Sequence, residues 1–102
     1  MKTTAKKVYE HKYREVPGAK GTLTGVMAGS ITGIISALKN YRAVSDAGDH
    51  GSIMVYRDDA GKYRCLFMVW GITREEKVFI SQREVRTWLK KWMPRQRERK
   101  TR

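Results

Sequence analysis

The stretch Ile53-Met54-Val55-Tyr56-Arg57-Asp58-Asp59-Ala60-Gly61-Lys62-Tyr63-Arg64-Cys65-Leu66-Phe67-Met68-Val69-Trp70-Gly71-Ile72 sets the fold class. Its two apolar runs flank Asp58-Asp59-Ala60-Gly61, a turn signal in which Gly61 supplies positive φ without steric cost. Ile53–Tyr56 and Tyr63–Ile72 therefore read as an antiparallel hairpin. With side chains alternating along the second strand, Tyr63, Cys65, Phe67 and Val69 share one face, and Leu66, Met68 and Trp70 share the other. A strand apolar on both faces is either covered on both sides or leaves a patch for a partner. Thr73-Arg74-Glu75-Glu76 then reads as a polar turn, and Lys77-Val78-Phe79-Ile80 as a third antiparallel strand.

Ser81-Gln82-Arg83-Glu84 fits a capping box, in which the Ser hydroxyl caps the first turn and the Glu carboxylate answers back to the cap backbone. Val85, Trp88, Leu89 and Trp92 follow at i, i+3, i+4 and i+7, and Pro94 stops the helix. A helix over 82–93 thus has one apolar face for the sheet, while Arg83, Arg86 and Lys90 gather on the opposite face as a basic stripe.

Upstream, Gly21–Leu38 carries no charge between Lys20 and Lys39. It reaches the length of a membrane span, but its Gly, Ser and Thr dilute its apolarity well below that of a Leu-rich helix, so a membrane role is disfavoured. Gly25, Gly29 and Gly33, followed by Ala37, recur at a spacing of four. On a continuous soluble helix each interior Gly costs about 1 kcal/mol relative to Ala. A split reading is cheaper: Thr22–Met27 extended, a turn at Ala28-Gly29, and a helix capped by Ser30 that runs to about Arg42 through Ile31, Ile34, Ile35 and Leu38. The glycines are then turn and close-packing positions. Ser45-Asp46-Ala47-Gly48-Asp49-His50-Gly51 reads as a solvated connector. Its two Asp and one His suggest a metal or acid–base site only if further ligands join them, and Asp58 and Asp59 are already explained by turn chemistry.

The expected architecture is a small single α+β domain, a three-stranded antiparallel meander over 52–80 flanked by two helices in the order α-β-β-β-α. It divides into a basic N-terminal arm (1–20), a core (21–93) and a basic tail (94–102). Helix, three strands, helix resembles the element order of double-stranded-RNA-binding domains. Three strands and a helix are also similar to the small sheet domains by which some integrases and plant transcription factors enter the DNA major groove. The likeness is one of topology, since Val85–Trp92 is bulky and aromatic where the second helix of the RNA-binding domain alternates small residues.

Charge partition carries the functional expectation. Residues 1–20 hold six Lys/Arg against two Glu, 21–82 hold seven against six acids, and 83–102 hold nine against two, within a net charge of +12. Two basic ends around a nearly neutral middle are the electrostatic footprint of a nucleic-acid binder, because each cation that neutralises a phosphate releases a condensed counterion. The candidate contacts are Lys6, Lys7, Lys12 and Arg14 at the N-terminus. At the C-terminus they are Arg83, Arg86, Lys90, Lys91, Arg95, Arg97, Arg99, Lys100 and Arg102. Such contacts position a nucleic acid, DNA or RNA, without specifying its sequence. In the arm, Tyr9 and Tyr13 are interleaved with cations, which suits base stacking or anchoring of the arm to the core. No nucleophile elbow, phosphate loop, zinc spacing or His–Cys pairing is present, so neither catalysis, a metal nor a cofactor is expected. Cys65 excludes an intramolecular disulfide framework and reads as a small buried hydrophobe. Glu10 and Glu15 suit a signal peptide poorly, and a cytoplasmic setting is expected. The size suits an accessory or regulatory factor of a phage or other mobile element. The alternative is an interaction module that inhibits or adapts an acidic host enzyme, anchored by Trp70, Trp88 or Trp92 where exposed. A homodimer is compatible with the glycine-rich segment and the two-faced strand.

Overall fold

The structure is a computed structural model that describes residues 11–14, 16–48 and 51–93. The elements are β1 (His11–Arg14), β2 (Thr22–Met27), α1 (Ile31–Ala37), β3 (Ala43–Gly48), β4 (Gly51–Arg57), β5 (Tyr63–Val69), β6 (Ile72–Phe79) and α2 (Gln82–Trp92). The six strands form one sheet in chain order, antiparallel throughout except for β2 and β3, which run parallel. A parallel pair requires a crossover, and α1 supplies it.

The fold is α+β, as expected, but the meander is part of a larger mixed sheet. The connector over 45–51 is a strand pair instead: β3 and β4 align from Ala43 opposite Tyr56 to Gly48 opposite Gly51. Backbone pairing and the apolar Ala43 and Val44 outweigh the polar composition of the following residues. Ser30 caps α1 as expected, its hydroxyl accepting from the Gly33 N–H at 3.0 Å. The helix stops at Ala37, however, and does not reach Arg42, because the chain must turn to begin β3 beside β2. Arg42 is held at that turn by bonds from its Nε to the Arg57 carbonyl at 2.7 Å and from its NH2 group to Asp59 Oδ1 at 2.8 Å. The turn expected at Thr73–Glu76 lies earlier, at Trp70-Gly71, with φ of 55° and 78°. Positive φ at both central residues is the hallmark of a two-residue hairpin turn whose twist matches the flanking strands. Thr73–Glu76 instead fall within β6, a sheet edge, where charged side chains are tolerated and guard against unwanted pairing.

Both helices cover one face of the sheet. Val26, Val44, Ile53, Val55 and Cys65 meet Ile34, Ile35, Leu38, Val85, Trp88, Leu89 and Met93 there, with Tyr63 and Phe67 beside them. On the other face Leu23, Ala43, Met54, Tyr56 and Leu66 pack with Val16, Ala19 and Met68. The apolar central strand, β5, is therefore covered on both sides by its own chain. Burial pushes the Cys65 thiol up to about 12, which keeps it protonated and inert.

The glycine pattern resolves into unequal sites. A Cβ on Gly25 would lie 2.5 Å from the Ala43 carbonyl oxygen, whereas one on Gly29 would meet open space. Gly25→Leu is expected to cost about 1–3 kcal/mol by forcing β2 away from β3, and Gly29→Leu to change stability by less than about 0.5 kcal/mol. Urea denaturation of the two variants provides the comparison, and equal losses would remove the special role of Gly25. Among the described residues no helix is long and apolar enough to cross a membrane.

Candidate nucleic-acid interface

The direction of each strand decides where the charged ends of the chain meet the domain. The β4–β5 turn lies at one end of the sheet, and the Trp70–Gly71 turn between β5 and β6 lies at the other. β1 pairs with β2 from His11 opposite Gly25 to Arg14 opposite Thr22, and Gly25 is level with Ala43, Tyr56 and Arg64 across the sheet, so β1 lies at the β4–β5 turn end, on the edge opposite β6. α2 runs back from Phe79, which pairs with Tyr63, toward the Trp70 end. Its last turn is fixed there by Trp92, stacked on Phe67 with ring centroids 4.0 Å apart, and by Lys91 Nζ donating to Glu75 Oε1 at 3.3 Å. The segment after Met93 consequently joins the domain toward the Trp70 end, whereas the segment before His11 joins it at the β1 edge, level with Arg64.

These two segments carry Lys2, Lys6 and Lys7 on one side and Arg95, Arg97, Arg99, Lys100 and Arg102 on the other, against Glu10 and Glu98. Lys6, Lys7, Arg95, Arg97, Arg99, Lys100 and Arg102 lie outside the described residues. Lys12 and Arg14 occupy alternate positions of β1 opposite Thr24 and Thr22. Arg83, Arg86, Lys90 and Lys91 are exposed along α2. Among the described residues, acids pair with Arg42, Arg64 and Lys91, and none pairs with Arg83, Arg86 or Lys90. Glu84, the acid of α2, is occupied by the capping box, its Oε1 accepting from the N–H groups of Ile80 and Ser81. Among the described residues the stripe formed by Arg83, Arg86 and Lys90 thus has no paired carboxylate, an arrangement that suits an anionic ligand.

Lys91 differs from the other three. Besides its bond to Glu75, its ammonium lies 5.0 Å from the centre of the Trp92 ring, and the Trp88 indole N–H donates to Glu75 Oε2 at 3.1 Å. That indole bond, followed by Lys91, holds the Glu75 carboxyl below the usual range. Lys91 serves first to fasten α2 to β6. Beside it a cleft of about 490 Å3 lies between α2 and β6, lined by Phe79, Arg83, Glu84, Thr87, Trp88 and Lys91.

Charge at the opposite end is consumed in structure. Asp58, only 5% exposed, accepts from the Ala60 and Lys62 N–H groups at 3.0 and 2.9 Å and from Arg64 Nε at 2.8 Å. Asp59 accepts from Arg42 and from the Lys20 N–H, and its own N–H donates to the Gly18 carbonyl. The Tyr56 hydroxyl donates to the Pro17 carbonyl at 2.5 Å, and burial pushes its pKa up to about 12. The turn thereby fastens residues 16–20 across the second face of the sheet. The Arg64 guanidinium, with the two N–H donors, holds Asp58 below the ordinary carboxylate range. A depressed folded-state pKa contributes stability that is fully present above the unfolded pKa and is lost as pH falls through the folded one. Asp58→Asn is expected to cost about 1.5–3 kcal/mol at neutral pH, the worth of hydrogen bonds to a charged group. It should also flatten the acid limb of a melting-temperature profile. An unchanged acid limb would show that Asp58 has no part in acid sensitivity.

No family model matches the chain, and no curated protein or solved structure matches it. Function must therefore be argued from the residues.

Of the three tryptophans considered as anchors, Trp88 is buried and Trp92 is half-buried on Phe67, whereas Trp70 is 94% exposed. The sequence places Trp70 on a strand face. Its place at a turn tip follows from Gly71, whose positive φ completes the two-residue turn, and an X-Gly pair between apolar runs is the local signal that marks it. Asp46 lies in β3, while Asp49 and His50 are outside the described residues. Among the described residues no three His, Cys, Asp or Glu stand together as a metal-ligand set.

Proposed function

We propose that this chain is a small basic, non-enzymatic nucleic-acid-binding protein, an accessory or regulatory factor that grips phosphates through α2 and its basic terminal segments. The observation that carries this reading is the exposed row of Arg83, Arg86 and Lys90 on α2, with which no carboxylate pairs among the described residues. That row runs along α2 toward the segment after Met93, which holds Arg95, Arg97, Arg99, Lys100 and Arg102. A cationic helix face continued by a cationic segment is able to follow a single nucleic-acid backbone, and each phosphate neutralised adds counterion-release entropy. In this reading Lys6, Lys7, Lys12 and Arg14 form one side of the clamp. The α2 stripe, with Arg95, Arg97, Arg99, Lys100 and Arg102, forms the other, and Lys91 contributes chiefly by holding α2.

A second reading is supported by the exposed apolar residues of the β6 edge and its exit, Ile72, Val78 and Ile80. An unpaired edge strand with apolar neighbours is suited to strand addition by a protein partner or by a second copy of the chain. The deciding experiment is gentle purification with sequencing of the nucleic acid and identification of the proteins that accompany the chain. Enrichment of nucleic acid that is released by salt supports the first reading. A stoichiometric acidic protein without nucleic acid would replace it with the second.

A further inference from the structure

β6 is an edge of the sheet, and among the described residues no strand pairs with its outer side. The cleft of about 490 Å3 between α2 and β6 lies beside that edge. Of the exposed large hydrophobic residues, Ile72, Val78 and Ile80 lie on this strand or at its exit. Side chains of β6 alternate between the two faces of the sheet as their β5 partners do. Glu75, Lys77 and Phe79 stand opposite Phe67, Cys65 and Tyr63, on the face that the helices cover, and Glu76 stands opposite Leu66, on the second face with Val78. Arg74 is the extra residue of a bulge, so Ile72, opposite Val69, falls on the helix face and Thr73, opposite Met68, on the second.

Laid antiparallel beside a copy of itself, this pattern matches in one register. With Glu76 opposite Glu76 of the second copy, Glu75 meets Lys77, Thr73 meets Val78 and Ile72 meets Phe79. Each pair occurs twice about the two-fold axis, and both of its members share a face. Each Glu76 carboxylate at the axis already has a cation beside it, Arg64 of its own copy at 3.4 Å. The neighbouring registers that keep the faces aligned fail. Centring on Lys77 opposes two lysines and sets Glu75 against Phe79, and centring on Glu75 opposes two carboxylates and sets Lys77 against Ile72. Charges that reject an arbitrary strand thus accept the strand's own copy.

We propose that β6 is a self-association edge, through which two copies of this chain form a two-fold dimer with one continuous sheet centred on Glu76. This inference deepens the strand-addition reading above by naming the second copy as the occupant, and it does not depend on nucleic-acid binding. Ile72 of each copy comes beside Phe79 at the cleft of the other, so the contact that pairs the strands also covers apolar surface. The chain's own tail is unsuited to that task, since residues 94–102 hold no Val, Ile, Leu, Met or aromatic side chain. The two-fold axis stands perpendicular to the sheet, so both α2 helices lie on one face and present two rows of Arg83, Arg86 and Lys90 together.

The test is sedimentation equilibrium of the full-length protein, freed of nucleic acid, over a wide range of concentration, where a reversible monomer–dimer equilibrium is expected. Lys77 is exposed, and Lys77→Glu turns two attractive pairs into two repulsive ones. It is expected to weaken dimerisation about 10- to 100-fold with an unchanged circular dichroism spectrum. Glu76→Cys is expected to cross-link to itself with a short bifunctional thiol reagent, because Cβ atoms of directly opposed residues lie about 5 Å apart. Lys62→Cys, at the β4–β5 turn, and the wild type, whose Cys65 is buried, are not. A wild type that stays monomeric overturns the inference, and if it still binds nucleic acid in a salt-dependent way the phosphate-gripping reading survives. A dimer that binds no nucleic acid supports the inference and removes that reading. A dimer as tight in Lys77→Glu as in wild type, or Glu76→Cys that cross-links no faster than Lys62→Cys, overturns the edge and its register even though the chain associates. A monomer that forms a complex with a different protein, lost in Lys77→Glu, overturns the second copy as the occupant.

Discussion

Trp88→Ala should destabilise the domain by about 3–5 kcal/mol, read as a lower urea midpoint with an unchanged slope. Trp88 lies beneath α2 at 5% exposure, in the cluster that also contains Val85, Leu89 and Met93. Removing the indole leaves a cavity and also takes away the donor that holds Glu75 in place for Lys91. The buried apolar face of α2 is its main attachment, since its other polar contacts are exposed and worth little each. Arg86→Ala and Lys90→Ala serve as controls on the same helix. Each should change stability by less than about 0.5 kcal/mol while weakening nucleic-acid binding. If both were silent in binding, the α2 stripe would be an ordinary solvated face, and the phosphate grip would reside in the terminal segments alone.

Removal of residues 94–102 should produce the largest loss of nucleic-acid affinity. The deleted segment holds five cations against Glu98. If about four of them contact phosphates, the slope of log affinity against log salt flattens by about three to four. A slope change of that size makes the deficit large at low salt and small at high salt, a pattern that loss of folding would not produce. The core should survive, because α2 ends at Trp92 and the Met93 N–H is satisfied by the Leu89 carbonyl at 2.8 Å. Affinity and slope both unchanged in the truncated protein would take the segment out of the mechanism.

The two elements read most accurately from the sequence are those set by neighbours within a few residues. The capping box of Ser81 and Glu84 forms as read, and α2 ends within a residue of the expected position, because a hydroxyl, a carboxylate and four N–H groups find each other inside one helical turn. The Asp58–Gly61 turn is equally local: Asp58 accepts from N–H groups two and four residues ahead. The error at Thr73–Glu76 arose where local signals competed. Four polar residues in a row suggest a turn, and only the edge position of β6, with solvent on one side, allows them in a strand.

Composition and spacing alone determined that this chain folds around a β-hairpin and an amphipathic C-terminal helix, and that its positive charge lies at its two ends. Tertiary structure alone decided that β1 and β2 extend the sheet, that β2 runs parallel to β3 across α1, and that Trp70 stands at a tip. The physical reason is range. Turns, caps and amphipathic faces are settled by contacts a few residues apart, whereas the pairing of Gly25 with both His11 and Ala43 depends on segments that become neighbours only once they bury apolar surface together.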